Sequence, residues 1–540
     1  MLDPPEREPP GRGRALRSRS PRAPIVVFAL LAVGASAMYL RMGRHGWFFL
    51  DDWDFLTSRS AGNLNDLLRP HNQHWVTVPI LVWRALWQVF GARSYLPYEV
   101  LSVLLHVGVA ALLRVVMRRA GVGAWVATIA AGVFLLFGTG AQNILSAFQI
   151  AFTGALVFGL AQLLLADHDG ALDHRDWLAL GAGTLGLMCS GVAVAMVVTV
   201  GVVMFLRRGA RIAAFHTAPL FAIYAAWYFA YGRGATKFAG SLGNAVVFLR
   251  TDLAATFGAL GGVTGAGVGL AILLGVGLVI LWTTSDATDR RARLAIPVAL
   301  LVGATVFFLT AAVGQKSDQS IVVLPAESRY LYVGAALLIP VLAVALDMIV
   351  RRSRLLGVVA VAGLVIGIPA NLSAASNFAT AQARLAGDSR SVLLSIAGMP
   401  LSARAPGTLR PDPVGAPSVT LDWLRRAQRA NELPAVGKPS AALLARDRLR
   451  LSLMELDSTR TGSCARLRAP VVRNLVRGKR LDIGDGAVTV SSLPRAGSTG
   501  AVLLGNVLFR SSSREHALES VIGHLIVRIA PVGGHDAELC

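Results

Sequence analysis

The sequence predicts an all-helical polytopic membrane protein with about eleven transmembrane helices, followed by a small, strand-rich domain outside the cytoplasm. Of its 540 residues, 54% are hydrophobic and only 15% are charged, and apolar runs recur from residue 24 to residue 375. This composition excludes an ordinary soluble enzyme. Much of the net charge of +21 comes from arginines beside the apolar runs, where the positive-inside bias places them. We therefore expect no nucleic-acid partner.

The predicted spans alternate across the membrane, and basic residues fix their direction. Arg118 and Arg119, for example, follow a span and mark the cytoplasmic side. Residues 177–206 are too long for one upright helix, so we predict two short helices that meet near residues 189–191, at a break buried in the protein. The predicted spans are residues 24–40, 95–117, 123–137, 144–166, the pair within 177–206, 213–231, 253–282, 294–313, 330–350 and 355–370.

The two ends of the chain differ in composition from the membrane domain at 24–375. Residues 1–23 are basic and proline-rich, which is typical of a disordered cytoplasmic tail. An odd number of spans then leaves residues 376–540 outside the cytoplasmic (plasma) membrane.

The carboxyl-terminal segment is predicted to be strand-rich. A helix-like stretch at 421–454 precedes strand-length alternation at 487–490 and 502–509. Cys464 and Cys540 bracket the strands, and they either pair in an oxidising compartment or remain free thiols.

The first outer loop, residues 41–94, carries an acidic stretch with Asp51, Asp52 and Asp54. A carboxylate costs roughly 2.5 to 3.5 kcal/mol near the centre of a membrane helix and gains little near an interface. The stretch is therefore a candidate functional site, although an Asp-rich cap or turn at the water interface is the plain alternative. A Trp-rich helix at 76–90 is predicted to lie in the interface plane beside it.

Three motifs carry a resemblance to a known superfamily. FFLDDWDFL begins at Phe48, RPHNQHWVTVPILVWRAL follows in the same loop, and SRYLYV precedes a late span. With the long outer loop and the outer carboxyl-terminal domain, they resemble the GT-C glycosyltransferases, membrane enzymes that use polyprenyl-phosphate-linked sugars, and in particular uncharacterised bacterial members. The resemblance covers about residues 24–375 and implies a GT-C-like fold.

The resemblance implies catalytic roles for the acidic stretch. Asp51 and Asp52 stand where the superfamily places its outer-loop aspartate, which deprotonates the acceptor hydroxyl. Because adjacent residues cannot share one helical face, we expect one carboxylate to face the cavity and the other to cap a helix or bind a cation. Asp52 is the preferred residue for the cavity, and Asp54 is expected to be a cap. Members of this superfamily often have a second acidic motif in the second outer loop, whereas residues 141–143 of this chain offer only amides. Whether a divalent cation is a cofactor therefore stays open.

His71 and His74 flank Asn72 and Gln73 in the same loop. On a helix, their spacing would put both imidazoles on one side, where they could meet a phosphate or a metal. The same residues would equally serve to hydrogen-bond the loop to itself. Glu99, at the start of the second span, either approaches this cavity or is a surface carboxylate near a helix N-terminus.

Arg329 and Tyr330 lie at the outer mouth of a late span, and Lys316 precedes them in the same outer loop. A guanidinium stays charged and can bind two phosphate oxygens at once, which suits a lipid-linked donor. A snorkelling arginine beside an interfacial aromatic residue is the alternative.

A second cluster of polar residues lies on the opposite side. It consists of Asp167, His168, Asp169, Asp173, His174 and Asp176. Carboxylates and imidazoles at this density can bind a divalent ion. The predicted topology places the cluster in a cytoplasmic turn, so we favour a solvated, charged loop.

These observations lead to one expected function and two alternatives. The resemblance implies transfer of a sugar from a polyprenyl-phosphate donor to a glycan, lipid or protein acceptor on the outer side of the membrane. A transporter or flippase would also bury ionisable groups, but we would expect them in corresponding halves of the chain. A non-catalytic binder of lipid-linked glycans would keep Arg329 and tolerate loss of Asp51 and Asp52.

Overall fold

The computed structural model describes residues 22–233, 242–313, 326–399, 402, 407, 410–412 and 414–435, together with six strands between 471 and 532. In chain order the helices are α1 (Ala23–Gly43), α2 (Asp51–Thr57), α3 (Leu64–Leu68), α4 (Thr77–Phe90), α5 (Leu96–Arg119), α6 (Ala124–Leu135), α7 (Ala141–Leu145), α8 (Ile150–Ala166), α9 (His174–Leu187), α10 (Val192–Arg208), α11 (Ala210–Trp227), α12 (Leu242–Gly261), α13 (Ala266–Thr284), α14 (Ala287–Val313), α15 (Ser328–Arg352), α16 (Arg354–Val365), α17 (Ile368–Ala397) and α18 (Leu421–Arg429).

The chain is a multi-pass membrane protein. Within the described residues, eight helical segments are long and apolar enough to cross a membrane, and a ninth is counted if the pair bent by 42° between α6 and the segment Gly138–Leu145 forms one span. The predicted number of about eleven is not confirmed. The difference arises partly because α9 and α10 have only 14 and 17 residues.

Residues 177–206 form two helices, as the sequence predicts. The break between α9 and α10 falls at residues 188–191, where Cys189 and Ser190 are fully buried. At the far ends of the two helices, Arg208 of α10 pairs with Asp176 of α9 at 2.6 Å. The two helices therefore run in opposite directions and form a short hairpin.

The predicted span at 253–282 is wrong as a single helix. The structure divides it between α12 and α13, with a turn that contains Gly262 at φ +67° and Gly265 at φ +83°. Glycine populates these left-handed angles at no steric cost, so the chain turns where other residues would be strained.

Helix α15 occupies the centre of the membrane domain, since 89% of its most apolar stretch of 18 residues is buried. Small residues let its neighbours approach closely. A Cβ added at Gly277 of α13 would lie only 2.4 Å from the Cβ of Ala345. Such contacts replace the hydrophobic driving force that helices lack in lipid. The close approach of Gly277 to Ala345 packs α13 tightly against α15.

A second, aromatic core forms a lobe at the end of the bundle where α15 starts. We call it the outer lobe, and this end the outer end, after the side on which the sequence predicts it; the opposite end is called the inner end. The outer lobe combines the first outer loop with the end of α17 and with α18. The Trp-rich helix α4 lies within it, but Trp83 and Trp87 point into the lobe, while Val89 and Phe90 are exposed. That this helix lies in the interface plane stays a prediction, and its tryptophans are buried inside the lobe. They pack inward because they meet the rings of Phe48, Phe55, Tyr98 and Trp423.

Two contacts join the outer lobe to the membrane helices. The indole of Trp75 stacks on that of Trp227 in α11, with centroids 5.4 Å apart, and Trp227 donates a hydrogen bond to the carbonyl of Leu68. Helix α17 has 30 residues, about 45 Å at 1.5 Å per residue. It passes through the predicted domain boundary at 375 without interruption.

The carboxyl-terminal strands are β1 (Val471–Leu475), β2 (Arg480–Ile483), β3 (Ala487–Pro494), β4 (Val507–Phe509), β5 (His516–Glu519) and β6 (Leu525–Val532). One antiparallel sheet has the order β1-β6-β3-β4, and β2 pairs separately with β5. The register pairs Val490 with Val507 and with Ile529. Cys464 and Cys540, most of the helix-like stretch beyond α18, and the tail at 1–21 lie outside the described residues. A strand-rich domain outside the membrane stays a prediction.

Candidate functional site

A cavity of about 620 Å³ lies between the outer lobe and the outer ends of the membrane helices. Its polar lining consists of Asp51, His71, Asn72, Gln73, His74, Gln149 and Arg329. The remaining walls are aromatic and aliphatic, with Phe148, Phe152, Val192, Val194, Tyr224, Tyr228, Phe307, Leu309, Ala311, Val313 and Tyr330 among them. The cavity thus has charged groups at one end and apolar walls beside them.

The acidic stretch presents Asp51 to this cavity and not Asp52, which corrects the preference for Asp52. Helix α2 begins after Leu50, whose φ of +51° turns the chain, and the Leu50 amide is held by the carbonyl of Gly415 at 2.7 Å. This start leaves the Asp51 side chain 47% exposed. The same turn sends Asp52 into the lobe, where only 1% of it is exposed.

Asp52 ties two outer loops together. Its Oδ2 accepts hydrogen bonds from the amide of Phe49 at 3.0 Å and from the hydroxyl of Tyr95 at 3.3 Å. The Tyr95 oxygen in turn accepts the amide of Ala147 at 2.9 Å. Burial outweighs these bonds and raises the pKa of Asp52 to about 8. Asp52 is therefore a neutral, structural acid near pH 7.

Asp54 holds His71, and it does not cap a helix as predicted, because the cap position of α2 is Leu50. Its Oδ2 lies 2.9 Å from Nδ1 of His71 and 3.4 Å from Nε of Arg59. Although burial raises the pKa of Asp54, the bonds to His71 and Arg59 outweigh it and hold the pKa at about 2. Asp54 is thus a fixed negative charge behind the imidazole.

His71 and His74 face the cavity from a tight turn, not from a helix. Each amide bonds the carbonyl of the other, at 3.0 and 2.8 Å. Asn72 and Gln73 between them both adopt positive φ, at 44° and 71°, which is the pattern of a type I′ turn. The helical spacing argument was therefore wrong, although paired residues across such a turn still share one side.

His74 is a neutral imidazole beside Arg329. The amide of Gly191, at the break between α9 and α10, lies 3.3 Å from its Nδ1. Burial, followed by the charges of His71 and Arg329, lowers the pKa of His74 to about 4. Nδ1 accepts a hydrogen bond from the Gly191 amide, so Nε2 carries the proton of the neutral ring. Nε2 can therefore donate a hydrogen bond to an anion.

Arg329 lies at the start of α15 with 30% of its side chain exposed. Its Nη2 pairs with Oε2 of Glu327 at 2.6 Å, and its guanidinium lies over the ring of Tyr330 at 5.1 Å. In the described part of the chain, its Nε is buried without a hydrogen-bond partner. Arg329 thus lines the cavity with a guanidinium that contacts Glu327 and Tyr330. Lys316 lies outside the described residues.

Glu99 takes neither of its predicted places. It is 1% exposed and absent from the cavity lining, and its carboxylate rests on the backbone of Gly43, where an added Cβ would lie 1.6 Å from Oε1. Sequence reasoning also missed Gln149, a buried cavity residue whose Oε1 has no partner among the described residues. The only sequence signal was an isolated amide between Phe148 and Ile150 in an apolar run.

The cluster at the opposite end is partly a solvated loop, as predicted, and partly a buried network. Asp169, Asp173 and His174 are exposed, whereas Asp176 is fully buried. Oδ1 of Asp176 accepts hydrogen bonds from Arg208 at 2.6 Å and from His216 at 2.9 Å. Oδ2 accepts a hydrogen bond from His168 at 3.0 Å. Asp176 also completes a capping box with Asp173 at the start of α9. Asp176 and His216 have no exposed side-chain surface. The network ties the inner ends of α9, α10 and α11 together.

One grouping in the described ranges has the spacing of a metal site, namely His168, Asp173 and Asp176. Both oxygens of Asp176 are already occupied, and the Arg208 guanidinium lies against one of them. This positive charge disfavours a cation there. Asp51, His71 and His74 do not form such a grouping, so the residues at the cavity do not fit a bound divalent ion by themselves.

Comparison with known proteins gives little beyond the general architecture. No family model matches the chain, and a search of curated proteins found no match. Among solved structures, the chain is similar to the crystal structure of ArnT from Cupriavidus metallidurans in the apo state, at 13% sequence identity and a TM-score of 0.45, over 84% of this chain and 92% of that chain. A likeness this loose carries no functional argument.

Proposed function

We propose that the protein transfers a sugar from a polyprenyl-phosphate-linked donor to an acceptor hydroxyl on the outer side of the cytoplasmic membrane. The observation that carries this proposal is the composition of the single cavity that holds Asp51, His71, His74 and Arg329. It combines phosphate-binding donors, a carboxylate and apolar walls, which are the three things that such a reaction needs.

The apolar walls suit the prenyl chain of the donor. Helix α14 contributes Phe307, Leu309 and Val313, and α10 contributes Val192 and Val194. Pockets for amphiphiles are mostly apolar with a few placed polar groups. A lipid carrier can thus lie along the membrane helices while its phosphate reaches the polar end.

Arg329 and His74 are suited to the phosphate. The guanidinium stays charged at any physiological pH and binds phosphate oxygens in a forked geometry. His74 adds a neutral N–H donor, and its low pKa keeps it uncharged next to Arg329. When the bond between the anomeric carbon and the phosphate oxygen breaks, its electron pair leaves with the phosphate, and these donors stabilise the added charge.

Asp51 is suited to the acceptor. Its half-exposed carboxylate lines the same cavity, so it can accept a hydrogen bond from the hydroxyl that attacks the anomeric carbon. The acceptor is a glycan, lipid or protein of the cell envelope. A single displacement inverts the configuration at the anomeric carbon.

The arginine distribution supports an outer location for the cavity. Arg119, Arg207 and Asp167 are joined by hydrogen bonds at one end of the bundle, and Arg351 bonds the carbonyl of Gly121 at the same end. Basic residues cluster on the cytoplasmic side, so the opposite end, with the cavity and the outer lobe, faces outward. With the other cysteines replaced, Ser60→Cys should react with an impermeant reagent from outside, and Asp169→Cys should not.

The direct test is transfer of labelled sugar in proteoliposomes that contain purified protein, a panel of polyprenyl-phosphate sugars and membrane-derived acceptors. We expect product with the wild type, and strong loss with Asp51→Asn and Arg329→Ala. Two matched controls, Asp52→Asn and Arg93→Ala, change a buried neighbour of Asp51 and an exposed outer arginine, and they should retain transfer.

Two results would contradict the proposal. Donor binding without product from any donor would indicate a non-catalytic binder. Movement of the lipid between leaflets without product would indicate a flippase.

A further inference from the structure

Three side chains of the outer loop form a line that ends in the cavity. Asp54 Oδ2 lies 2.9 Å from His71 Nδ1, and His71 Nε2 lies 3.5 Å from Oδ1 of Asp51. Asp54 is behind the imidazole, and Asp51 is in front of it. Carboxylate, imidazole and reacting group follow one another in this order wherever a histidine serves as a positioned base.

The position of Asp54 and His71 is strongly held. Arg59 contacts Asp54, is 5% exposed, and donates to the carbonyls of Asp66, Arg69 and Pro70 at 2.9, 2.7 and 2.9 Å. It therefore fixes the chain directly before His71. The imidazole packs against the rings of Phe55 and Phe148, with centroids 5.3 and 5.2 Å away. These contacts hold the imidazole with its second nitrogen beside Asp51.

The hydrogen bonds select the tautomer of His71. The carboxylate of Asp54 accepts from Nδ1, so in the neutral ring the lone pair is on Nε2. The Asn72 amide donates to this Nε2 at 3.0 Å and also lies 3.3 Å from Oδ2 of Asp51. Nε2 and Asp51 thus converge on one donor position at the rim of the cavity. A hydroxyl that replaced the exposed Asn72 amide would meet both acceptors.

The charges around His71 make its imidazole a stronger base. Burial lowers its pKa, but Asp51 and Asp54 outweigh burial and raise the pKa above the ordinary value. The other titratable or charged groups nearby are Arg59 behind Asp54, and His74 with Arg329 across the turn. A raised pKa makes the imidazole a better proton acceptor in general base catalysis.

We propose that His71, positioned by Asp54, accepts the proton of the acceptor hydroxyl; this inference rests on the proposed function. Asp51 orients the hydroxyl through a hydrogen bond. The hydroxyl oxygen forms a bond to the anomeric carbon, the bond from that carbon to the phosphate oxygen breaks with its electron pair on the phosphate, and the proton passes to Nε2 of His71. The imidazolium formed is stabilised by Asp54 and returns its proton to water after product release.

The test is the pH dependence of transfer in proteoliposomes with a donor that the wild type uses. His71 must be neutral to act, so the rate should fall on the acid side as the ring protonates. His71→Gln should lower kcat at least about 100-fold and remove this acid limb. Asp54→Asn should lower kcat about tenfold and move the limb to lower pH, because the charge that raises the pKa is gone. Imidazole in the buffer should restore part of the activity of His71→Gly.

The controls separate the roles of the groups. His45→Gln removes an exposed histidine of the same loop and should leave the profile unchanged. The role of His71 would be overturned if the wild type transfers sugar but Asp54→Asn does not shift the acid limb and imidazole does not rescue His71→Gly. The proposed function would then still stand. Absence of transfer by the wild type with every donor would overturn both. If His71→Gln does not fold, the effect of Asp54→Asn on the acid limb of the wild-type profile still decides.

Discussion

The two ends of the bundle carry clusters of the same residue types with opposite architecture. At the inner end, Asp176 is surrounded by Arg208, His168 and His216, and both of its oxygens are occupied within the protein. At the outer end, Asp51 and Arg329 border a cavity of about 620 Å³. The inner cluster has the spacing of a metal site, but only the outer cluster borders a cavity that could hold a ligand.

The comparison shows that residue type alone does not identify a functional site. Buried polar groups that satisfy one another fix a structure, whereas polar groups turned to a cavity with unused hydrogen-bonding capacity are available to a ligand. At the outer end, Arg329 and Gln149 line the cavity, whereas Asp176 and His216 at the other end have no exposed side-chain surface. The two clusters should therefore respond oppositely to mutation, in stability at one end and in activity at the other.

The largest expected effect is on stability, at the inner end. Asp176→Asn leaves the buried Arg208 without its counter-charge, and the free energy of unfolding should fall by about 3 to 5 kcal/mol. Chemical denaturation in detergent would measure it, with Asp169→Asn at a neighbouring exposed carboxylate as the control. Transfer per folded molecule should be unchanged. Loss of transfer at full stability would erase the distinction between the two clusters.

The next effect is on transfer, at the outer end. Asp51→Asn keeps the size of the side chain but removes the carboxylate that faces the acceptor, so kcat should fall about 100-fold or more. Because Asp51 is half exposed, the unfolding midpoint should stay within the error of the wild type. Steady-state transfer and denaturation on the same preparation would test both statements, and a large loss of stability would assign Asp51 to the scaffold.

A smaller effect is expected on donor binding. His74→Gln replaces one N–H donor and its contact with Gly191, and a hydrogen bond to a charged group contributes about 1.5 to 3 kcal/mol. The Kd for the polyprenyl-phosphate donor should rise about tenfold or more, with little change in the pH profile because His74 is already neutral. Equilibrium binding to labelled lipid would measure it. An unchanged Kd would remove His74 from the phosphate site.

The smallest effect on transfer is expected at Asp52, the neighbour of Asp51. Burial raises its pKa to about 8, so the folded protein binds a proton between about pH 4 and pH 8 that the unfolded chain has lost. Asp52 therefore makes stability fall as pH rises through this window. Asp52→Asn imitates the neutral acid, should keep transfer within about twofold, and should flatten this dependence. Denaturation at pH 5 and pH 8 would show it, and equal slopes for both proteins would contradict it.

Several features of this architecture follow from hydropathy and charge. The outer acidic stretch, the arginine at the mouth of α15 and the helix break near Cys189 could be located because a membrane tolerates polar groups and broken helices only where protein or water receives them. The glycines around Gly262 are a turn signal that could have predicted the division of the span at 253–282, but the continuous apolar run there favoured a single helix.

The orientation of individual side chains could not be predicted. Whether Asp51 or Asp52 faces the cavity depends on the backbone at Leu50, which a distant carbonyl holds. The turn at His71 requires positive φ at Gln73, which is uncommon for that residue type. Both are decided by tertiary contacts that local spacing does not contain.

The hydrogen bond from Leu50 to Gly415 has a consequence for biosynthesis. The ribosome makes the acidic stretch first, but its partner emerges about 365 residues later, roughly 20 to 70 s at about 5 to 20 residues per second. Throughout that interval the first spans already occupy the membrane while the aromatic lobe lacks its carboxyl-terminal half. The first spans are therefore inserted long before the start of α2 is held, and the bond that holds Leu50 forms only after Gly415 has emerged.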